Sequence, residues 1–157
     1  MTPAIKNLEK AKIKYQVHKY DHDPSSRVYG EEAAEKLNIS FDRIFKTLVV
    51  SVDHNILLVA VVPVSKQLDL KLFAKTAGSK KAKMADKHLV ERATGYVLGG
   101  VSPIGQKKKL KTIIDTSALK FNTVYVSAGR RGLQIELAPE DLGSQIGATY
   151  GEISKST

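Results

Sequence analysis

Apolar side chains recur along the chain at two spacings, and these spacings predict its helices and strands. Ile5, Leu8 and Ala11 lie three residues apart, on one face of a short helix that Thr2-Pro3 begins as N-cap and first helical residue. The same rules, with Asp86 as a cap and Gly78 as a stop, predict four more helices. These cover residues 31–37, 70–77, 86–93 and 139–146.

Extended runs of alternating or continuous apolar residues predict about seven strands. They cover residues 15–20, 44–52, 56–62, 96–101, 110–114, 123–127 and 133–137. Helices and strands follow one another in mixed order, so we predict a mixed α/β (α+β) fold with a largely antiparallel sheet. A length of 157 residues fits one domain, residues 1–157, with enough chain to bury a core.

Composition narrows the class of protein. With 42% hydrophobic and 26% charged residues, the chain is typical of soluble globular proteins and unlike collagen, coiled coils or disordered chains. Its longest apolar stretch, residues 56–62, is far shorter than the ~20 residues of a membrane helix, and the first ten residues show no secretory signal. The absence of cysteine excludes disulfides, cysteine-ligated zinc and a protein thiol nucleophile. We therefore expect a cytoplasmic protein without membrane contact.

The net charge of +9 is concentrated in the middle of the chain. Residues 66–131 hold 15 basic and 4 acidic side chains, whereas the rest of the chain holds 10 basic and 12 acidic ones. Such a segment favours a polyanionic partner, most simply a nucleic acid. A solvated lysine-rich surface without a partner is the alternative.

Lys46 stands out because it lies inside an apolar strand. Residues at alternate positions share a face, so Lys46 points with Ile44, Leu48 and Val50 on the more apolar side. One interpretation is a strand-end lysine whose stem packs while its ammonium reaches water. The other is a cation aimed into a cleft, where it holds an anion or stabilises developing negative charge.

Two glycine-containing segments border the basic residues. Residues 99–105 carry three glycines, a serine and a proline directly before four lysines in five positions, at 107–109 and 111. Glycines let backbone N–H groups approach a ligand, so this segment favours phosphate or nucleic-acid contact, although its spacing matches no dinucleotide or P-loop motif. At residues 127–132 two glycines flank Arg130 and Arg131, which could clamp phosphates or simply form a polar turn.

Other catalytic signatures are missing from the sequence. The four histidines are scattered without metal-ligand spacing, and Asp21-x-Asp23 fits turn chemistry before Pro24 better than a cation loop. No nucleophile elbow or Ser/His/Asp signature is present. We expect neither a metal nor a cofactor.

Taken together, motifs across essentially the whole chain resemble the YbaK/EbsC family, which is related to the editing domain inserted in bacterial prolyl-tRNA synthetases. The matching motifs are Met1-Thr2-Pro3-Ala4-Ile5, Tyr20-Asp21-His22-Asp23-Pro24, Gly30-Glu31-Glu32-Ala33-Ala34, Phe45-Lys46-Thr47-Leu48, Met84-Ala85-Asp86, Thr94-Gly95-Tyr96, Gly99-Gly100-Val101-Ser102-Pro103, Gly105-Gln106-Lys107-Lys108 and Arg131-Gly132-Leu133.

The resemblance implies a free-standing trans-editing enzyme that removes cysteine mischarged onto proline tRNA, with Cys-tRNA(Cys) as a further substrate. It implies a compact domain with a curved, partly barrel-like sheet, a cleft on one side, and the family's central, catalytic lysine at Lys46. The expected substrate-binding residues are Tyr20, Tyr29, Thr47, Gly99, Gly100, Ser102, Ser127 and Gly129. The expected tRNA-binding residues are Lys107, Lys108, Lys109, Lys111, Arg130 and Arg131.

In this family the substrate's own thiol is thought to attack its carbonyl and release the tRNA, so the activity is classed as a hydrolase or a lyase. Two positions depart from close relatives: Tyr29 stands where a phenylalanine is frequent, and Gln134 where some relatives carry an acid. The resemblance also implies a transient ternary complex with prolyl-tRNA synthetase, and we expect a monomer. A non-catalytic nucleic-acid-binding or regulatory module and a deacylase for another mischarged tRNA, such as Ala-tRNA(Pro), remain the alternatives.

Overall fold

The computed structural model describes all 157 residues and contains five α-helices, one 3₁₀ helix and ten strands. The helices are α1 (Pro3–Ala11), α2 (Tyr29–Leu37), α3 (Leu70–Thr76), α4 (Lys87–Thr94) and α5 (Pro139–Ile146), and the 3₁₀ helix is Thr116–Lys120. The strands are β1 (Gln16–Lys19), β2 (Phe45–Val52), β3 (Ile56–Pro63), β4 (Lys66–Leu68), β5 (Ala82–Met84), β6 (Thr112–Asp115), β7 (Val124–Ser127), β8 (Leu133–Leu137), β9 (Thr149–Gly151) and β10 (Ser154–Ser156). The predicted α/β class is confirmed.

The helix ends follow the local sequence closely. The hydroxyl of Thr2 accepts the N–H of Ile5, and the carboxylate of Asp86 accepts the N–H of Leu89, so each residue caps its helix as predicted. Asp69 caps α3 in the same way, and Pro139 is the first residue of α5. None of the helices is long and apolar enough to cross a bilayer.

The strand prediction needs two corrections. Residues 96–101, predicted as a strand, form a loop in which Tyr96 turns inward and is 4% exposed. Four strands that the pattern did not predict, β4, β5, β9 and β10, are only three residues long. Such short segments carry no periodicity of their own and become strands because a neighbouring strand pairs with them.

The strands form three sheets that do not close into a barrel. The largest has the order β5-β2-β3-β6-β9, the second has the order β1-β8-β7, and β10 pairs with β4. Five of the seven ladders are antiparallel, and β6 runs parallel to both of its neighbours. β2 pairs with β3 along its full length but with β5 only at Val50–Val52. The remaining part of that edge of β2 therefore has no partner from β5.

Two apolar clusters cover opposite faces of the largest sheet. The main cluster holds 20 buried residues and joins Val49 and Val59 to the inner face of the three-stranded sheet and to α1 and α5. A second cluster of 8 buried residues packs Val50 and Val62 beneath Phe73 of α3. Both faces of β2 are therefore covered, and Lys46 lies on the face that carries Leu48 and Val50, as the alternation predicts.

The loop between α4 and β6 is held by specific contacts rather than by secondary structure. The hydroxyl of Tyr96 donates to the carbonyl oxygen of Ile104 at 2.7 Å, and burial raises the pKa of this phenol to about 12. Gly105 follows with φ +71° and lies against the backbone of Pro3, the first residue of α1. The loop is therefore fixed to the start of the chain.

We expect Gly105→Ala to destabilise the protein more than Gly78→Ala. Both glycines have a positive φ, +71° and +72°, so each alanine carries a backbone penalty of about 1–2 kcal/mol. Only at Gly105 would the added Cβ lie 2.8 Å from the carbonyl carbon of Pro3, whereas nothing lies within 4 Å at Gly78. Urea unfolding should show a further loss of about 1–3 kcal/mol for Gly105→Ala. Equal losses for the two variants would contradict the contact between this loop and α1.

Candidate functional site

A cavity opens where β2 and β7 separate, and its lining includes Lys46 and four of the eight predicted substrate-binding residues. The N–H of Tyr125 donates to the carbonyl of Arg43 at 3.1 Å, and a single parallel bridge joins Tyr125 to Ile44. Beyond this junction residues 45–49 and Ser127 line a cavity of about 350 Å³. This volume lies at the small end of the range of ligand sites, which is about 300–1,000 Å³.

Lys46 lines this cavity. Its side chain is half-buried and forms no hydrogen bond or ion pair with any other residue. Phe45, Leu48 and Val49 give the cavity apolar surface, and Glu31 also lies on its wall. A partly desolvated ammonium without a protein partner can stabilise an anion that enters the cavity.

Two buried polar atoms in the cavity wall have no hydrogen-bond partner. They are the hydroxyl of Thr47 and the side-chain carbonyl oxygen of Gln134, a residue that is only 8% exposed. An unpaired buried polar atom lowers the free energy of unfolding by about 1–3 kcal/mol, so these two atoms destabilise the protein unless a ligand pairs with them. Both atoms lie beneath the accessible surface of the wall, so a ligand in the cavity can pair with them only after a small movement of these side chains.

Sequence reasoning did not include Gln134 among the site residues. The run Leu133–Leu137 alternates apolar and polar residues, a pattern in which polar positions normally face solvent. In the structure Gln134 sits on the central strand of its sheet, opposite Ser127 on one side and His18 on the other. Only its placement between two strands shows that its side chain is buried.

Tyr29 and Gly99 lie together in the cavity wall, and Arg131 packs against both from outside the cavity. The guanidinium of Arg131 lies 4.7 Å from the ring centre of Tyr29 and its Nε donates to the carbonyl of Leu98 at 2.9 Å. A Cβ at Gly99, where φ is +85°, would lie 2.8 Å from both side chains. Glycine is thus needed at this position so that the loop can approach the tyrosine.

Other predicted substrate-binding residues lie behind the cavity wall. Ser102 is fully buried and its hydroxyl accepts the N–H of Ile104, so this side chain supports the loop. Gly100 packs against the backbone of Arg130, and Gly129 packs against Tyr96 while donating its N–H to the hydroxyl of Ser127. Tyr20 is half-buried in a neighbouring shallow groove with Arg130 and Arg131. Burial raises the pKa of this phenol.

The predicted tRNA-binding residues divide into two groups. Arg131 contacts the cavity wall through Tyr29, and Arg130 is exposed beside it. Lys107, Lys108, Lys109 and Lys111 are exposed, but none of them lines the cavity. Lys108 and Lys109 instead surround a separate depression of about 230 Å³ together with Asn7 and Gln145. The structure therefore does not bring this lysine cluster to the cavity.

A buried carboxylate supports the wall that carries Tyr29. Glu32 accepts hydrogen bonds from His22 at 2.7 Å, from the N–H of Asp23 at 2.8 Å and from Lys36 at 3.2 Å. Burial alone would raise the pKa of Glu32, but these three donors together lower it. The ring of His22 also lies 5.9 Å from that of Tyr29, so the network positions the cavity rim. No group of three or more acidic, histidine or cysteine side chains is close enough to hold a metal ion.

The "Aminoacyl-tRNA editing domain" family matches residues 23–144. A protein of Enterococcus faecalis with the name "Putative Cys-tRNA(Pro)/Cys-tRNA(Cys) deacylase EbsC" is 40% identical over 98% of this chain and 93% of its own length. The crystal structure of a hypothetical protein superposes with a TM-score of 0.87 and 26% identity, covering 98% of this chain and all of its own. That of "a putative trans-editing enzyme for prolyl tRNA synthetase" superposes with a TM-score of 0.81 and 22% identity, covering 99% of both chains. This second structural match confirms the fold.

We expect Thr47→Val and Thr94→Val to change stability differently. The two substitutions remove the same hydroxyl, but that of Thr94 donates to Val90 at 2.7 Å and accepts from Tyr96 at 3.2 Å, whereas that of Thr47 has no partner. Urea unfolding should show a loss of about 1–3 kcal/mol for Thr94→Val and no loss, or a small gain, for Thr47→Val. A comparable loss at both positions would mean that Thr47 has a structural partner.

The Glu32 network predicts a specific dependence of stability on pH. Because folding lowers the pKa of Glu32 below its ordinary value of 4.5, its contribution is complete above that pH and is lost as the pH falls through the folded-state pKa. Glu32→Gln should therefore flatten the loss of stability between about pH 5.5 and pH 3.5. Glu35→Gln, an exposed carboxylate on the same helix, is the control. If both variants keep the wild-type slope, Glu32 does not contribute in this way.

Proposed function

The chain belongs to the aminoacyl-tRNA editing domain family, and from that premise we propose that it is a trans-acting deacylase that removes cysteine from Cys-tRNA(Pro). The similarity to the Enterococcus faecalis protein supports the cysteinyl substrate. The observation that carries the proposal is the cavity beside β2, which combines an unpaired lysine with two unpaired buried polar atoms. This combination suits an esterified amino acid better than an apolar ligand.

The cavity supports a reaction in which the substrate supplies the nucleophile. Its lining includes no histidine, and its serine, Ser127, accepts a hydrogen bond from Gly129, so no side chain is arranged to activate a hydroxyl. A cysteinyl ester carries a thiol within reach of its own carbonyl carbon. Holding that thiol and the carbonyl close together contributes several kcal/mol to such an intramolecular step.

We propose the following sequence of bonds. The substrate thiol loses its proton, and the sulfur attacks the ester carbonyl carbon to give a tetrahedral oxyanion. Collapse of this intermediate breaks the bond to the ribose oxygen, which takes up a proton and leaves as the free tRNA end. The other product is a cyclic thioester, which water then hydrolyses to cysteine.

Lys46 is the residue proposed to stabilise the anions of this reaction. Its ammonium has no competing protein partner, so it can interact with the thiolate and with the developing oxyanion. Thr47 and Gln134 are proposed to pair with the polar groups of the aminoacyl ester, and Tyr29, Gly99 and Ser127 to position the terminal nucleotide. The lysine therefore has the catalytic role, and the other five bind substrate.

Selection of the tRNA is proposed to involve a partner. A cavity of about 350 Å³ has room for the aminoacyl end but not for the features that distinguish one tRNA from another. We propose that prolyl-tRNA synthetase supplies this selectivity in a transient complex. The rate on Cys-tRNA(Pro) should then exceed that on Cys-tRNA(Cys) only when the synthetase is present.

We expect the purified protein to accelerate loss of labelled cysteine from Cys-tRNA(Pro), and Lys46→Ala to reduce the rate by about 10²–10³-fold. The lysine forms no contact that holds the fold, so the variant should unfold at the wild-type urea concentration. Lys155→Ala, at an exposed position on β10, is the matched control and should keep the wild-type rate. A Lys46→Ala variant with an undiminished rate would contradict the role of this residue.

A panel of aminoacyl-tRNAs tests the source of the nucleophile. Cys-tRNA(Pro) should lose its amino acid at least tenfold faster than Ala-tRNA(Pro), because alanine has no thiol. Equal rates would indicate attack by bound water instead of substrate assistance. Binding of tRNA without deacylation of any substrate would favour a non-catalytic RNA-binding module.

A further inference from the structure

A second groove, separate from the catalytic cavity, is lined by lysines of β5 and its neighbours. Its volume is about 470 Å³, and it lies between the β2–β3 hairpin, α3 and β5. Four exposed lysines line it: Lys71, Lys80, Lys81 and Lys83. We refer to these four residues and the groove between them as the β5 lysine groove.

Little negative charge opposes these lysines. None of the four forms an ion pair. The one carboxylate in the groove belongs to Asp53, and one of its oxygens accepts the backbone N–H groups of Lys80 and Lys81 at 2.9 and 3.0 Å. Asp53 thus fixes the backbone of the lysine segment while the lysine side chains project from it. The carboxylate of nearby Asp69 also accepts a backbone N–H, that of Leu72, because Asp69 caps α3.

The groove and the catalytic cavity are connected through β2 and β5. Lys83 lies opposite Ser51, which shares a face of β2 with Thr47 of the cavity wall. Met84, the next residue of β5, and Lys87 line the cavity itself. From Thr47 to Ser51, which share a face of β2, the distance along the strand is roughly 14 Å, at about 3.4 Å per residue. A few nucleotides of an RNA strand can span this separation.

We propose that the β5 lysine groove binds phosphates of the tRNA acceptor end while the terminal aminoacyl nucleotide occupies the cavity. This inference rests on the proposed function for the identity of the RNA. Lysines on flexible stems bind phosphate groups as point charges, without reading sequence, which suits an end shared by all tRNAs. We propose the groove for the phosphate binding that the sequence led us to expect at Lys107, Lys108 and Lys109. Lys108 and Lys109 border a different depression.

The test is the salt dependence of binding to an uncharged RNA hairpin that reproduces the acceptor stem with its single-stranded CCA end. Fluorescence anisotropy gives Kd for the wild-type protein and for K80Q/K81Q/K83Q. Each lost phosphate contact should reduce the slope of log Kd against log salt by about 0.7–0.9, so the slope should fall by about 2–3. K10Q/K12Q/K14Q removes the same charge at the end of α1 and should keep the wild-type slope.

A third variant, K107Q/K108Q/K109Q, compares the two lysine clusters directly. A slope that falls for this variant and not for K80Q/K81Q/K83Q overturns the proposal in favour of the other cluster. K80Q/K81Q/K83Q could instead keep the wild-type slope for RNA and lose binding to prolyl-tRNA synthetase. That result would identify the groove as a protein interface and would also overturn the proposal.

The measurement is independent of catalysis, because the probe carries no amino acid. If the wild-type protein deacylates nothing but K80Q/K81Q/K83Q still lowers the slope, the proposed function fails and the RNA-binding groove stands. If deacylation occurs, the triple variant should lose more activity on full-length Cys-tRNA(Pro) than on cysteine esterified to adenosine. Equal losses on the two substrates would place the lysines' effect inside the cavity and contradict the proposal.

Discussion

The hydrogen bond from the N–H of Tyr125 to the carbonyl of Arg43 joins β7 to the start of β2, and the cavity depends on this junction. On their other edges β2 pairs with β3 and β7 pairs with β8, and the one bridge between β2 and β7 lies at Ile44 and Tyr125. Beyond it they separate, and side chains from both strands line the gap. Lys46 enters the cavity from one strand and Ser127 from the other. The site is therefore a consequence of two sheets whose strands β2 and β7 share a single backbone bridge.

The cavity wall shows how function and stability oppose each other in this protein. Thr47 and Gln134 hold polar atoms away from water without a partner, at a cost of about 1–3 kcal/mol each, and Lys46 is partly desolvated without a counter-ion. The surrounding structure compensates by satisfying other buried polar groups. Glu32 has three hydrogen-bond donors, and Glu136 accepts hydrogen bonds from His18 and Thr123 at 2.9 and 2.6 Å. The unpaired groups thus belong to residues that line the cavity.

The basic residues that are concentrated in the middle of the sequence do not form one surface in the fold. The basic residues of the middle segment fold into separate patches: the lysines of the β5 groove, Lys107–Lys109 beside α5, and the arginines beside Tyr29. Acidic residues near the first patch are held in place by backbone N–H groups, so they shape the local chain more than they neutralise the lysines. The arginines contact the cavity wall through Tyr29, whereas Lys107–Lys109, which directly follow the glycine-rich loop in sequence, do not line the cavity.

Elements whose signals lie in neighbouring residues can be predicted from the amino-acid sequence. The caps at Thr2 and Asp86, the proline that begins α5 and the two long apolar strands were all readable because these signals act within one or two turns of chain. The position of Lys46 was also readable, since the resemblance depends on local motifs. Three other features are visible in the folded chain alone: residues 96–101 form a loop around Tyr96, Ala82–Met84 pairs with β2, and Gln134 is buried in the cavity wall. Each of these depends on contacts between residues distant along the chain, and such contacts leave no periodic pattern in the sequence.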